Sequence, residues 1–291
     1  MRNEKIKIRD AAMKFRKKLL HAGLVGMLAG SALHGEEGLL TVSAGAKYAT
    51  GTFGTDYETR SYYIPLIASY IRGGWSFAVT VPYIILDSEG SFTWTPGGMV
   101  PIASDKMKDG SGGGTMHAAP LVADTTTEVT ATQTSGLGDI VLDGGYTFFF
   151  ESFPMVKVSA IMKAATADAE KGLGTGENDY SAQISLFKVW DKTSMSLYGG
   201  YTFTGDSADT EYNDVFYASA GAGYSLTPAF SAGLSYFYRE SMVEGYESTQ
   251  NISPYAIWSV TDHSALNLSY AYGLTDTTAD HTVGLTFSYY F

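Results

Sequence analysis

The sequence predicts an all-β fold, a transmembrane antiparallel β-barrel of about twelve strands with both termini in the periplasm. Three observations carry this. Segments of about ten residues alternate strictly between apolar and small or polar residues. The connections between them alternate between short and long. The chain is rich in Tyr (21) and Gly (33) and has only 8 Pro, and an aromatic with a wet hydroxyl suits a membrane–water boundary.

The last segment shows the alternation best. Val283, Leu285, Phe287, Tyr289 and Phe291 fall on one face, and Thr282, Gly284, Thr286, Ser288 and Tyr290 on the other. Eleven earlier segments follow the same rule: 39–49, 60–72, 75–83, 139–150, 155–165, 179–190, 194–204, 214–226, 229–239, 250–260 and 264–274. Pro65 and Pro254 weaken two of them, because proline cannot donate to a strand ladder; ten or fourteen strands stay open. Arg72-Gly73-Gly74, 151–154, 191–193, 227–228 and 261–263 are short connections, while 51–59, 87–138, 166–178, 205–213, 240–249 and 275–280 are longer. An even strand number with both ends on one side of a membrane requires this. The 87–138 connection is out of scale. Two arrangements are open for it: a hairpin extending through Phe92-Thr93-Trp94 and 128–132, or a plug folded inward.

The N-terminus reads as a signal peptide over residues 1–35, followed by the barrel over 36–291. Eight Lys or Arg precede the apolar stretch Leu19–Leu33, which is too short and Gly-rich to span a bilayer well. Cleavage is expected after Gly35, with Ala32 the second choice. The remaining chain has 19 − 8 = 11 basic and 30 − 2 = 28 acidic residues, a net charge of −17. That balance argues against nucleic acid as a partner. Cysteine is absent, which excludes disulfides and thiolate metal sites. No cofactor is expected.

The alternation assigns lumen-lining candidates. Lys47, Asp143, Lys157, Lys163 and Arg239 point inward, where charge sets solute preference. Inward Tyr198, Tyr217, Phe237 and Tyr255 narrow the lumen or stack an aromatic solute. Other chemistry is weaker. His117, His263 and His281 have no nucleophile placed beside them by strand geometry, so a rim enzyme is the least favoured class. Asp206, Asp209, Glu211 and Asp214 fit no metal-loop spacing and read as a solvated acidic loop.

Two passages resemble a known family. One is Ser135-Gly136-Leu137-Gly138-Asp139-Ile140, leading to Tyr146-Thr147-Phe148. The other runs from Lys163 to Ser181 and contains Glu170-Lys171-Gly172-Leu173-Gly174-Thr175-Gly176-Glu177-Asn178-Asp179. Together they resemble outer-membrane transporters associated by name with meta-pathway phenol degradation. Thr166-Ala167-Asp168 departs from the pattern, where Pro-Thr-Gly-Asp is more usual. The turn reading of these passages is that Gly136, Gly138, Gly172, Gly174 and Gly176 supply positive φ. The closing Phe287, Tyr289 and Phe291 resemble the C-terminal signal read by the barrel-assembly machinery. The resemblance implies passage of small, often aromatic, solutes, with outer-membrane lipids around the barrel. No energy-coupling element or plug domain is evident, so the expected function is passive uptake or efflux. A structural barrel that displays its loops is the alternative.

Overall fold

A computed structural model describes residues 38–54, 58–88, 92–95, 98–101, 132–150, 153–206 and 211–291. The expected signal peptide, the centre of the long connection with His117, residues 128–131, and Asp209 lie outside the described residues. The strands are β1 (Leu39–Gly51), β2 (Thr59–Arg72), β3 (Trp75–Ser88), β4 (Phe92–Thr95), β5 (Gly98–Pro101), β6 (Thr132–Leu137), β7 (Ile140–Phe148), β8 (Met155–Ala164), β9 (Asp179–Trp190), β10 (Thr193–Phe203), β11 (Val215–Ser225), β12 (Phe230–Arg239), β13 (Thr249–Thr261), β14 (Ser264–Gly273) and β15 (His281–Tyr290).

Each strand pairs antiparallel with its neighbours, and β15 pairs with β1, so the sheet closes. Both β6 and β7 pair with β3, and they form one stave interrupted at Gly138-Asp139. The barrel therefore has twelve staves. Closure leaves no strand edge, the condition for a sheet to sit in hydrocarbon. The seam is completed by the Phe291 amide donating to the Leu40 carbonyl at 2.9 Å.

The outward face is the apolar one. Leu66, Val79, Leu142, Val158, Ile184, Leu197, Leu234, Leu268 and Leu285 are all exposed along its middle. Trp75, Phe148, Trp190, Tyr224, Trp258 and Tyr289 ring the end that carries the short turns. Tyr62, Tyr83, Tyr180, Tyr201, Phe216, Tyr236 and Tyr272 ring the end that carries the longer connections. An apolar belt between two aromatic girdles is the exterior of a transmembrane barrel. His281 joins the second girdle, with its Nδ1 2.7 Å from the Tyr270 hydroxyl.

The turns are tight for local reasons. Gly73 and Gly74 both take positive φ (56° and 96°), as a two-residue hairpin requires. Asp191 meets the same demand at φ 53°. Pro65 and Pro254 sit inside strands after all. Each costs a local gap in the ladder. The β1–β2 register skips from Ala44↔Leu66 to Lys47↔Tyr63, and β13–β14 skips from Ile252↔Tyr272 to Tyr255↔Ser269. One expectation fails in the long connection. Phe92-Thr93-Trp94 does not extend β3 but pairs with Gly98–Pro101 in a separate hairpin.

If the two faces are assigned correctly, neighbouring residues of β14 respond oppositely to charge. Leu268→Arg on the outward face costs about 2–4 kcal/mol of folding free energy in lipid vesicles. Asn267→Arg on the inward face changes it by no more than about 0.5 kcal/mol. Urea unfolding monitored by tryptophan fluorescence measures both.

Candidate functional site

All nine lumen candidates lie on the inward parity. Lys47 is opposite Tyr63 and Gly284. Asp143 is opposite Ala78, and Lys157 opposite Thr147 and Ser185. Lys163 is opposite Val141 and Asp179. Tyr198 is opposite Ser185 and Ser219, while Tyr217 is opposite Gly200 and Arg239. Phe237 is opposite Ser219 and Asn251, and Tyr255 is opposite Gly233 and Ser269.

The charges on the β7–β9 arc are paired. Lys157 Nζ lies 2.8 Å from Asp143 Oδ1. Its stem needs the space over Gly145, where a Cβ would come within 2.6 Å of Lys157 Cε. Lys163, only 2 % exposed, lies 2.9 Å from Asp179 and 3.6 Å from Asp139, and donates to the Thr175 hydroxyl. A buried ammonium between two carboxylates escapes the cost of an isolated buried charge.

That pair of carboxylates also binds backbone. Asp139 Oδ1 accepts from the Thr166 and Ala167 amides, both at 2.9 Å, and Asp179 Oδ1 accepts from the Gly205 amide at 3.1 Å. The 166–178 connection is thus tied to the inner wall. Its short 3-10 turn, Ala169–Lys171, is capped by Asp168 and ended by Gly172 at φ 70°. The hydrogen bond from the Lys171 side chain holds the Asp168 carboxyl below its ordinary value. Leu173 is buried, resting on Gly136.

This corrects the turn reading of the glycines. Gly172 and Gly176 do take positive φ, but Gly136, Gly138 and Gly174 do not. They are needed for close approach instead. A Cβ would come within 2.7 Å of Leu173 Cδ1 at Gly136, 2.5 Å of Ile84 Cδ1 at Gly138, and 2.5 Å of Asp139 Oδ2 at Gly174.

The inward aromatics have local partners. Tyr217 lies over Gly200, where a Cβ would collide with its hydroxyl, and donates to Gln183 Oε1 at 3.1 Å. Tyr255 covers Gly233 in the same way and reaches the Ala222 carbonyl at 3.4 Å. The two rings therefore lie against neighbouring strands. Tyr198 meets Tyr217 edge to face at 6.3 Å. Arg239 is buried and donates to Thr249 Oγ1 at 3.2 Å. Lys47 differs from the other inward lysines: it is exposed, and its ammonium sits 5.9 Å from the centre of the Tyr63 ring.

Sequence reasoning passed over Asp139, Asp179, Gln183 and Tyr63. Their positions follow from parity once the register is known, but their partners lie on other strands. The weaker chemistry resolves simply. His263 Nδ1 sits 3.2 Å from the Tyr290 carbonyl. Asp206 and Asp214 accept from the Tyr212 and Thr204 amides. Among the described residues, no group of three metal-ligating side chains occurs.

Solved structures of low sequence identity share the fold. The COG4313 outer membrane channel from Pseudomonas putida F1 is 14% identical, with a TM-score of 0.65, covering 92% of this chain and 100% of that one. The NanC porin is 10% identical, with a TM-score of 0.51, covering 86% and 98%. No curated protein matches in sequence.

Lys163→Met leaves two buried carboxylates facing each other beside the 166–178 connection. Limited proteolysis of the vesicle-embedded variant is expected to cut within 166–178 at least about tenfold faster than in the parent, because a buried pair that loses one partner costs about 3–5 kcal/mol. Equal cutting rates would show that the connection is held by something else.

The residues that tie this connection to the barrel wall lie in the two passages that resembled outer-membrane transporters, and residues 49–291 match the family described as Putative MetA-pathway of phenol degradation, to which this chain belongs.

Proposed function

We propose that this protein is a passive outer-membrane channel for small molecules, with the long connections outside the cell and both termini in the periplasm. The observation that carries the reading is the inward face itself. It is mostly polar or small, with Ile71, Ile84, Met155, Phe187 and Ile257 buried among those residues, and its rings at Tyr217 and Tyr255 lie back against the wall. Lys47 is exposed on it, with its ammonium near the Tyr63 ring. A barrel built only as a scaffold gains nothing from an exposed inward cation, whereas a channel uses it to select solutes.

The family's description ties the chain to phenol degradation, and the solved structures of similar fold are an outer-membrane channel and a porin. The lumen offers aromatic faces at Tyr63, Tyr198, Tyr217, Tyr255 and Phe237, suited to a small aromatic solute. The inward groups hold charges and rings in place, and passage is by diffusion down a gradient.

Reconstitution into planar bilayers tests this directly. Discrete conductance steps are expected from the intact barrel, and larger or steadier ones from a variant lacking residues 105–120 if that stretch narrows the lumen. No conductance and no solute uptake from either protein would contradict the reading and favour a barrel that displays its loops. Gly200→Val is expected to lower the conductance by lifting the Tyr217 ring off the wall into the lumen. Gly200→Val combined with Tyr217→Ala is expected to recover it.

A further inference from the structure

We infer that Lys47 is the anion-recognition point of the lumen, and that the solute it selects is a small organic carboxylate. The inference rests on the channel reading and names the class of solute that the channel favours.

The inward lysines divide into two kinds, and a further inward cation, Arg239, is buried and bonded to Thr249. On the β7–β9 arc each lysine has a carboxylate: Lys157 has Asp143, and Lys163 has Asp139 and Asp179. Those charges cancel locally and are occupied in holding the wall and the 166–178 connection. Lys47 stands apart from that arc, in β1, three staves from β7. No carboxylate lies within ion-pair distance of it among the described residues. The strands beside it offer none: the inward residues of β15 are Thr282, Gly284, Thr286, Ser288 and Tyr290, and those of β14 near it are Asn267, Ser269 and Ala271. On β2 the nearest inward residues are Ser61, Tyr63 and Pro65.

The geometry also keeps the ammonium available. Gly284 faces Lys47 on β15, and a Cβ there would stand 3.4 Å from Lys47 Cγ. The base of the stem thus passes Gly284 at ordinary contact distance, and the ammonium of this exposed residue sits near the edge of cation–π range of Tyr63. An enclosed charge without a partner is costly unless water reaches it. Here the lumen supplies that water, and a carboxylate entering the lumen can replace part of it with a charge-assisted hydrogen bond. The ring of Tyr63 beside the ammonium gives an aromatic carboxylate a second contact.

Among the described residues, acidic groups of the longer connections are bonded locally. Asp206, Asp214 and Glu240 accept backbone amide hydrogens from Tyr212, Thr204 and Phe216. They lie at the mouth, where salt screens them over about 8 Å. Selection is set where the walls enclose the solute.

The test uses the whole barrel in planar bilayers under a potassium chloride gradient, with benzoate as the probe and benzyl alcohol as its neutral counterpart. The expected result is chloride selectivity that falls by about threefold or more in Lys47→Gln and is retained in Lys47→Arg. Benzoate is expected to reduce the chloride current in the parent and in Lys47→Arg but not in Lys47→Gln, and benzyl alcohol to have no Lys47-dependent effect. Cation selectivity of the parent, or an unchanged ratio in Lys47→Gln, would overturn the inference. Calorimetric titration of benzoate into the detergent-solubilised barrel separates the two claims. Lys47-dependent binding without conductance upholds the site and contradicts the channel. Conductance without Lys47-dependent binding or selectivity does the reverse. Retained heat-modifiable migration shows that the Lys47→Gln barrel is folded.

Discussion

Every feature of this protein follows from one constraint: in hydrocarbon, a backbone amide or carbonyl must find its partner within the protein. A sheet meets that demand only by closing on itself, and β15 pairing with β1 closes it. Closure fixes two faces with opposite solvents. The outward one takes Leu, Val and the aromatic girdles, and the inward one is mostly small and polar, with a few buried apolar side chains such as Ile84 and Phe187. Where a proline removes a donor, at Pro65 and Pro254, the ladder opens locally and the strand continues.

The inward face then has its own economy. Glycines opposite large side chains let those side chains lie flat: Gly200 under Tyr217, Gly233 under Tyr255, Gly145 beside Lys157. A large side chain on one strand is thus accommodated by an absent one on the next. The paired charges serve a separate purpose. Lys163 and Asp139 bind the 166–178 connection to the wall and Asp179 accepts from Gly205 of the next one, which explains why the family-like passages are rich in glycine and aspartate.

Much of this was legible in the sequence because a strand's period is two. The alternation in β15 alone assigns Phe287 outward and Thr286 inward, and the same count places Lys47, Lys157, Lys163 and Arg239 inside. What the period cannot show is which strand a side chain leans toward. The pairing of Lys157 with Asp143 rather than another group, and the two carboxylates on Lys163, depend on stagger between strands. The glycines misled for a related reason. Gly136, Gly138 and Gly174 sit in loop-like sequence, so positive φ was the natural expectation, yet they are small because Leu173, Ile84 and Asp139 approach from other segments.

The measurement that bears most directly on the central claim is single-cysteine accessibility along β14, made possible by a chain with no native cysteine. The membrane-embedded barrel would be treated with a water-soluble, charged thiol reagent. A closed barrel around an aqueous lumen predicts reaction at positions 267, 269 and 271 and protection at 266, 268 and 270. Protection at all six would mean that the lumen is sealed, and reaction at all six would mean that the sheet is not a barrel in a membrane.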